Sequence, residues 1–177
     1  SAAFGEAHPF YQQAKELGRA LVAHGYSVMT GAGPGLMEAV NAGAETHQRG
    51  QSIGCAIKIP SEQKVNDFLD KHIMCRFFCS RKVLMTRFAC GFIALPGGFG
   101  TLDELFEMIT LVKTERIPPF PIILIDKGYW QPMFTFIESS LLKTQAISEK
   151  ELKAISLVDS VDEAIEILQS EITVNDE

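Results

Sequence analysis

Apolar residues along the chain switch between helical spacing and short unbroken runs, which predicts alternating helices and strands. Tyr11, Ala14, Leu17, Leu21 and Val22 share one face of a helix over residues 10–24, with Pro9 near its start and Gly25 as its stop. Residues 26–30 read as a strand, followed by Gly31-Ala32-Gly33-Pro34-Gly35 and a helix from Leu36 to about Gln48 that ends at Arg49-Gly50. A second strand covers residues 53–59, an irregular excursion residues 60–71, and a short strand Ile73-Met74-Cys75. Residues 80–90 are helical in pattern, 91–95 a strand, and 101–114 a long amphipathic helix stopped before Pro118-Pro119.

Pro121-Ile122-Ile123-Leu124-Ile125 is an apolar run of the kind found in parallel strands covered on both faces. A helix over 130–142, a short helix over 148–155, a short strand at Leu157-Val158 and a closing helix over 161–168 complete the pattern, with residues 172–177 expected to fray. Strands separated by helices of this length predict βαβ units and a Rossmann-like, doubly wound parallel sheet in a three-layer α/β/α arrangement. The chain opens on a loop-like Ser1-Ala2-Ala3-Phe4-Gly5 before its first helix, so the expectation is that the first strand of such a sheet is missing from this chain.

At 177 residues the expectation is one domain over residues 1–177. Lys plus Arg is 16 and Asp plus Glu is 22, a net charge of −6 that argues against a general nucleic-acid or anionic-membrane binder. No apolar stretch approaches the ~20 residues of a membrane span and no signal-peptide pattern opens the chain, which points to the cytoplasm. Cys55, Cys75, Cys79 and Cys90 form no C-x-x-C pair, and His8, His24, His47 and His72 are scattered, so no metal site is expected. The cysteines read as reduced, buried thiols.

The most informative stretch is Leu95-Pro96-Gly97-Gly98-Phe99-Gly100-Thr101-Leu102-Asp103-Glu104. Glycine admits positive φ and close ligand approach, and a helix start after such a loop suits a phosphate. Ligands of doubly wound sheets bind at the carboxyl ends of strands, where this loop and Gly31–Gly35 are both predicted to lie, so the two are expected to line one cleft. Gly31-x-Gly33-x-Gly35 does not fit G-x-G-x-x-G, because Leu36 stands in the last glycine's place. Gly97-Gly98-x-Gly100 lacks the Lys-Ser/Thr of a P-loop.

Thr101-x-x-Glu104 also reads as a capping box, as do Ser148-x-x-Glu151 and Ser160-x-x-Glu163, so Glu104 is either a structural cap or a carboxylate beside a bound phosphate. Arg76, Arg81, Lys82 and Arg87 place four cations within twelve residues. Arg81 near a helix start opposes the helix dipole, which points to an anionic partner, either a protein carboxylate or a ligand phosphate. Lys82 has the chemistry of a pyridoxal phosphate lysine, but no other feature of that cofactor accompanies it. Glu38 in the first turn of its helix complements the dipole, with contact to a ligand as the second reading.

Together these residues resemble the Lonely Guy family of cytokinin-activating phosphoribohydrolases, often labelled lysine decarboxylases. The family pattern P-G-G-x-G-T-x-x-E is met by Pro96 through Glu104, and its upstream Arg-Lys pair by Arg81-Lys82. Residues 30–39 resemble the family's first glycine loop, with Ala32 where a glycine is common. The resemblance runs from Ser1 to about Leu168, and the wording of Arg76–Lys82 and Phe99–Phe106 is similar to the bacterial branch, which often forms oligomers larger than dimers. Members normally begin with a strand leading into a Gly-Ser-Ala loop.

The resemblance implies hydrolysis of the N-glycosidic bond of a nucleoside 5′-monophosphate, of AMP or cytokinin type, with no metal or organic cofactor. It implies Arg81 and Glu104 as catalytic residues. Gly31, Gly33, Gly35, Glu38, Lys82, Gly97, Gly98, Phe99, Gly100, Thr101 and Asp103 would hold substrate and phosphate. The implied partners are a small nucleotide and further copies of the chain in a homodimer or larger assembly. The alternatives are a non-catalytic nucleotide- or cofactor-binding carrier of the same fold and a pyridoxal-dependent lysine decarboxylase.

Overall fold

A computed structural model describes residues 1–45, 50–58 and 64–175. The expected ends of the second helix and second strand, His47 and the first part of the 60–71 excursion fall wholly or partly outside the described residues. Contacts between Cα atoms divide the chain into two compact units, Ser1–Ala89 and Cys90–Glu177.

In the first unit, α1 (Pro9–Ala23) starts as its sequence dictates, with Pro9 in the first turn and the His8 ring accepting from the Phe10 N–H. It ends before Gly25, whose φ of +89° breaks the helix. Its buried face, Tyr11, Ala14, Leu17, Leu21 and Val22, is the predicted stripe. The face packs on α2 (Leu36–Ala44) so closely that a Cβ at Gly18 would strike the Val40 carbonyl and one at Gly43 the Lys15 carbonyl. Three parallel strands, β1 (Val28–Thr30), β2 (Ser52–Ile57) and β3 (Lys71–Cys75), lie in the order β1-β2-β3. Val28 is in register with Ser52 and Cys55 with Ile73. The last element of the unit, α3 (Phe78–Arg87), begins two residues before the predicted start.

A buried polar network binds this unit together. The Asn41 side chain on α2 is fully buried. Its Oδ1 accepts from the Thr30 hydroxyl at 2.6 Å and from Asn66 Nδ2 at 3.0 Å, while its Nδ2 donates to Ser52 Oγ at 2.9 Å. The Ser52 hydroxyl in turn donates to the Phe68 carbonyl at 2.6 Å, and the Asp70 carboxylate accepts from the Ser52 N–H at 2.7 Å. One carboxamide thus joins the end of β1, the start of β2 and the 66–70 segment to α2.

The second unit repeats the parallel pattern with β4 (Phe92–Ala94), β5 (Ile122–Ile125) and β6 (Ile155–Val158) in the order β4-β5-β6. All four residues of the central β5 are buried, which accounts for its unbroken apolar sequence. Ile122 and Leu124, on one face of it, form a core with Ala94 of β4, Leu105 and Met108 of α4 (Phe99–Lys113), and Trp130 and Phe134 of α5 (Lys127–Phe136). The α/β class and the parallel strands are those the sequence predicts, carried by two three-stranded sheets with helices around them.

Four expectations need correction. The helix predicted over 130–142 starts at Lys127, contains Pro132, and passes into a π-helical segment at Ile137–Leu142. Of the tail expected to fray, residues 172–175 are helical instead, since α7 (Val161–Asn175) continues past Leu168, and the last two residues lie outside the described ones. Cys55 and Cys75 are buried, but Cys79 and Cys90 are exposed, because α3 leaves Cys79 on its open side and Cys90 lies in the turn before β4. The capping boxes also differ from one another. Ser148 and Glu151 form a complete one at the start of α6 (Glu149–Lys153).

Glu151 is held by Lys113 at 2.6 Å as well as by Ser148, and these bonds, that to Lys113 foremost, lower its carboxyl to about 2. Its contribution to stability is therefore complete above the ordinary carboxylate range and is lost as pH falls through about 2. Ser160 accepts from the Glu163 N–H, and Glu163 reaches back to the Asp159 N–H. At α4 the cap is Gly98, and Thr101 lies inside the helix. Among the described residues no helix is long and apolar enough to cross a membrane.

Asn41→Ala removes three side-chain bonds at once and leaves buried partners to lose their hydrogen bonds. A loss of about 2–4 kcal/mol in unfolding free energy is expected, measured by urea denaturation.

Candidate functional site

In parallel α/β units the loops leaving the carboxyl ends of strands are where ligands bind, and each unit has one glycine-rich loop there. The first loop follows β1. Its backbone is shaped by the Thr30 hydroxyl, which accepts from the Ala32 N–H at 3.0 Å, and by the Asn66 N–H, which donates to the Ala32 carbonyl at 2.9 Å. Ala32 has a φ of +63°, in the left-handed region that disfavours a side chain. That is the physical reason a glycine suits this position.

Gly35 caps α2 with a φ of +71°, and a Cβ there would strike the Ala2 and Ala3 carbonyls. The Leu36 N–H at the same helix start donates to the Ser1 carbonyl at 2.9 Å. The chain's own first residues therefore occupy part of this helix terminus.

Arg81 is turned onto this loop. Its Nε donates to the Cys55 carbonyl of β2 at 2.9 Å, and its guanidinium lies against Gly31, where a Cβ would collide with it and with the Met37 sulfur. A backbone carbonyl is thus a partner of the cation that the sequence leaves opposed to a helix dipole. A small pocket results, bounded by the backbone of Gly31 to Gly33, by Met37, Ile57 and Val65 as apolar walls, and by Lys64 and Arg81 as cations. Such a lining suits an anionic group beside a flat or apolar one.

Lys64 is absent from the sequence expectations. It pairs with Asp67 at 3.2 Å on an exposed segment, and its sequence context carries no signal of a site. Glu38 accepts from the Tyr11 hydroxyl at 3.1 Å, which links α2 to α1. Burial first, and then this carboxylate, push the Tyr11 phenol up to about 12. Lys82 is half-buried on α3, and its carbonyl accepts from the Thr86 hydroxyl.

The second loop is built differently. Leu95, Pro96 and Gly97 are buried, whereas Gly98, Phe99 and Gly100 are exposed, Phe99 at 91%. Gly98 is extended with φ −87°, Gly100 has no positive φ, and a Cβ on either would meet nothing within 4 Å. Neither backbone conformation nor packing within the chain requires these two glycines. Glycines in such a position leave the main chain open to close approach from outside the chain.

The helix that follows opens with the Thr101 and Leu102 N–H groups both donating to the Gly98 carbonyl, at 3.0 and 3.1 Å. Thr101 is therefore the third residue of α4 rather than its cap, and Glu104, half-buried one turn on, does not belong to a capping box. The capping box suggested by the Thr101–Glu104 spacing is therefore not formed. Asp103 is exposed at the start of the second turn. Tyr129 is a further contact that sequence reasoning missed, its hydroxyl donating to the Gly97 carbonyl at 2.8 Å. Among the described residues no group of three His, Cys, Asp or Glu side chains is placed to hold a metal ion.

Parallel α/β units carrying glycine-rich loops at strand carboxyl ends define a Rossmann-type protein. Within that class the chain belongs to the family described as "Possible lysine decarboxylase", whose model matches residues 37–168, and which is the Lonely Guy family of the motif resemblance.

It is 28% identical over 162 residues to a cytokinin riboside 5′-monophosphate phosphoribohydrolase of Mycobacterium marinum, covering 90% of this chain and 86% of that protein. Proteins of the same name in rice and Arabidopsis thaliana are 31% and 34% identical over 77% and 75% of this chain. The match spans only 57% and 62% of the length of those two plant proteins. Among solved structures, a molybdenum cofactor binding protein of Rippkaea orientalis matches with a TM-score of 0.67 at 24% identity, covering 95% of this chain and 91% of that one. A molybdenum cofactor carrier protein of Chlamydomonas reinhardtii matches with a TM-score of 0.67 at 22% identity, covering 98% and 92%. These two likenesses show the fold alone.

The two loops make opposite predictions for stability. Gly35→Ala forces a side chain into a positive-φ position against two carbonyls and is expected to lower unfolding free energy by about 1–3 kcal/mol. Gly98→Ala and Gly100→Ala are expected to leave it within about 0.5 kcal/mol or raise it slightly, read by the same urea denaturation.

Proposed function

We propose that this chain hydrolyses the N-glycosidic bond of a nucleoside 5′-monophosphate, releasing the free base and ribose 5-phosphate. The observation that carries the reading is the pair Gly98 and Gly100. They are two glycines that the chain itself does not need, at the exposed start of a helix whose second turn holds a carboxylate outside any capping box. The relatives named as cytokinin riboside 5′-monophosphate phosphoribohydrolases support the same reaction class.

In this reading the main-chain N–H groups of Gly98, Phe99 and Gly100, with the Thr101 hydroxyl, cradle the phosphate at the positive end of α4. Phe99 on the first turn and Asp103 one turn further along flank that cradle. As the C1′–N bond breaks, its electron pair leaves with the base and positive charge builds on the sugar. The Glu104 carboxylate stabilises that charge and orients the water whose oxygen bonds to C1′. Arg81 holds the phosphate or ribose side and positions the departing base. Gly31 and Gly33 let substrate approach the first loop's backbone, Gly35 under the Ala2 and Ala3 carbonyls holds the turn into α2, and Lys82 adds positive charge on α3. Glu38 is bound to Tyr11 and serves the site by fixing α2.

A panel of nucleoside monophosphates incubated with the protein, with released base measured, tests the reaction. Nucleotide binding without base release supports a carrier instead, and a near-visible absorbance band in the purified protein supports a pyridoxal enzyme. Because Gly98 caps α4, Glu104→Gln removes no helix cap. The variant is expected to keep its melting temperature and nucleotide binding while turnover falls at least about a hundredfold. Glu151→Gln, in a complete capping box, is the control and is expected to leave turnover intact. Full activity in both variants would overturn the role of Glu104.

The reading extends to assembly. Of the apolar residues on α4, Leu105 and Met108 are buried while Phe106 remains 42% exposed, and on α3 Phe78 and Val83 are 56% and 62% exposed. At least a homodimer is expected at micromolar concentration. Sedimentation of a monomer at that concentration would contradict it.

A further inference from the structure

The carboxyl ends of β4 and β5 are adjacent, with Ala94 in register with Leu124. The chain leaving β4 becomes the Gly97–Gly100 loop. The chain leaving β5 turns at once into α5 through Asp126, a non-glycine residue at φ +84°. Several contacts over-determine that strained turn. The Asp126 N–H donates to the Val158 carbonyl at 2.9 Å, its carboxylate accepts from the Tyr129 N–H at 2.8 Å, and the Asp159 carboxylate accepts from the Lys127 N–H at 3.0 Å. Trp130, fully buried, donates from its indole to the Ile125 carbonyl at 3.0 Å, and the Tyr129 ring meets the Trp130 ring edge-on at 5.1 Å. Tyr129 is thereby held from its backbone and along its ring.

Its hydroxyl donates to the Gly97 carbonyl at 2.8 Å. The glycine loop contributes little packing of its own, since Gly98 and Gly100 lack side chains and Phe99 is 91% exposed. A trans peptide is a rigid plane whose C=O and N–H point in opposite directions. Fixing the Gly97 carbonyl therefore fixes the direction of the Gly98 N–H, the first donor of the phosphate cradle proposed above.

We propose that Tyr129 is a positioning residue of this site, aiming the Gly98 N–H at the phosphate of the nucleotide by holding the other end of the same peptide plane. The proposal rests on the reading of Gly98–Thr101 as that cradle.

Tyr129→Phe keeps the ring, its contact with Trp130 and the helix cap, and removes only the hydroxyl. Ribose 5-phosphate titrated into the full chain by calorimetry is expected to bind the variant about tenfold more weakly, the effect of one lost hydrogen bond. The KM for AMP is expected to rise by a similar factor with kcat within about threefold, while base release from adenosine, which lacks the phosphate, stays unchanged. A melting temperature within about 2 °C of the parent's separates this from a stability effect.

Equal ribose 5-phosphate affinity in the two proteins overturns the role of Tyr129, whatever the activity. If the parent binds ribose 5-phosphate but releases no base, the hydrolase reading fails and the affinity comparison alone decides for or against Tyr129. If the parent binds no ribose 5-phosphate, the cradle and the role of Tyr129 fall together.

Discussion

The first unit depends on one buried carboxamide. Asn41 is enclosed among apolar residues of α2, so its donors and acceptor must find partners inside the protein. They find Thr30, Ser52 and Asn66, which lie on three separate segments. An apolar side chain at this position would pack but would not choose a geometry. The amide requires that β1 end, β2 begin and the 66–70 segment pass at fixed distances from α2. The same Thr30 hydroxyl then meets the Ala32 N–H, so the network passes directly into the conformation of the first glycine loop. Precision at the loop is inherited from polarity in the core.

The second loop has no such support from beneath. Gly98 and Gly100 are exposed, and the loop's shape comes from two ends. One is the Gly98 cap of α4, and the other is the Tyr129 hydroxyl on the Gly97 carbonyl. Glycine therefore has different meanings in the two loops. At Gly35 it answers a demand of the fold, and at Gly98 and Gly100 the fold makes no demand at all.

Much of this architecture was legible in the chain. The run Ile122 to Ile125 announced a strand buried on both faces because it is short, rich in β-branched residues and bounded by Pro121, as parallel covered strands are. The stripe on α1, with Pro9 and Gly25 at its ends, is a local signal and was read to within a residue. The Thr101–Glu104 spacing misled, since the same pattern describes a real capping box at Ser148–Glu151 and nothing local says that Gly98 caps the helix three residues before Thr101. Asn41 was invisible for a different reason. A lone Asn in a short helix reads as a solvent-facing polar residue, and only its partners, 11 and 25 residues away in sequence, reveal otherwise. The placement of Arg81 was half legible: its conflict with a helix dipole signalled a partner, and the partner includes a carbonyl of β2 that spacing does not identify.

The crossing of α1 and α2 limits how this sequence can drift. Gly18 sits on the Val40 carbonyl and Gly43 on the Lys15 carbonyl, so each glycine faces main chain and not a side chain. A methyl group added at one site cannot be offset by trimming a residue opposite, because a carbonyl is present whatever residue carries it. Compensating exchange, the ordinary way a helix pair changes its interface, is closed at both points. The two helices are free to vary on their outer faces, but their separation is inherited as a unit, and descendants of this chain can move the helices apart only by rebuilding both together.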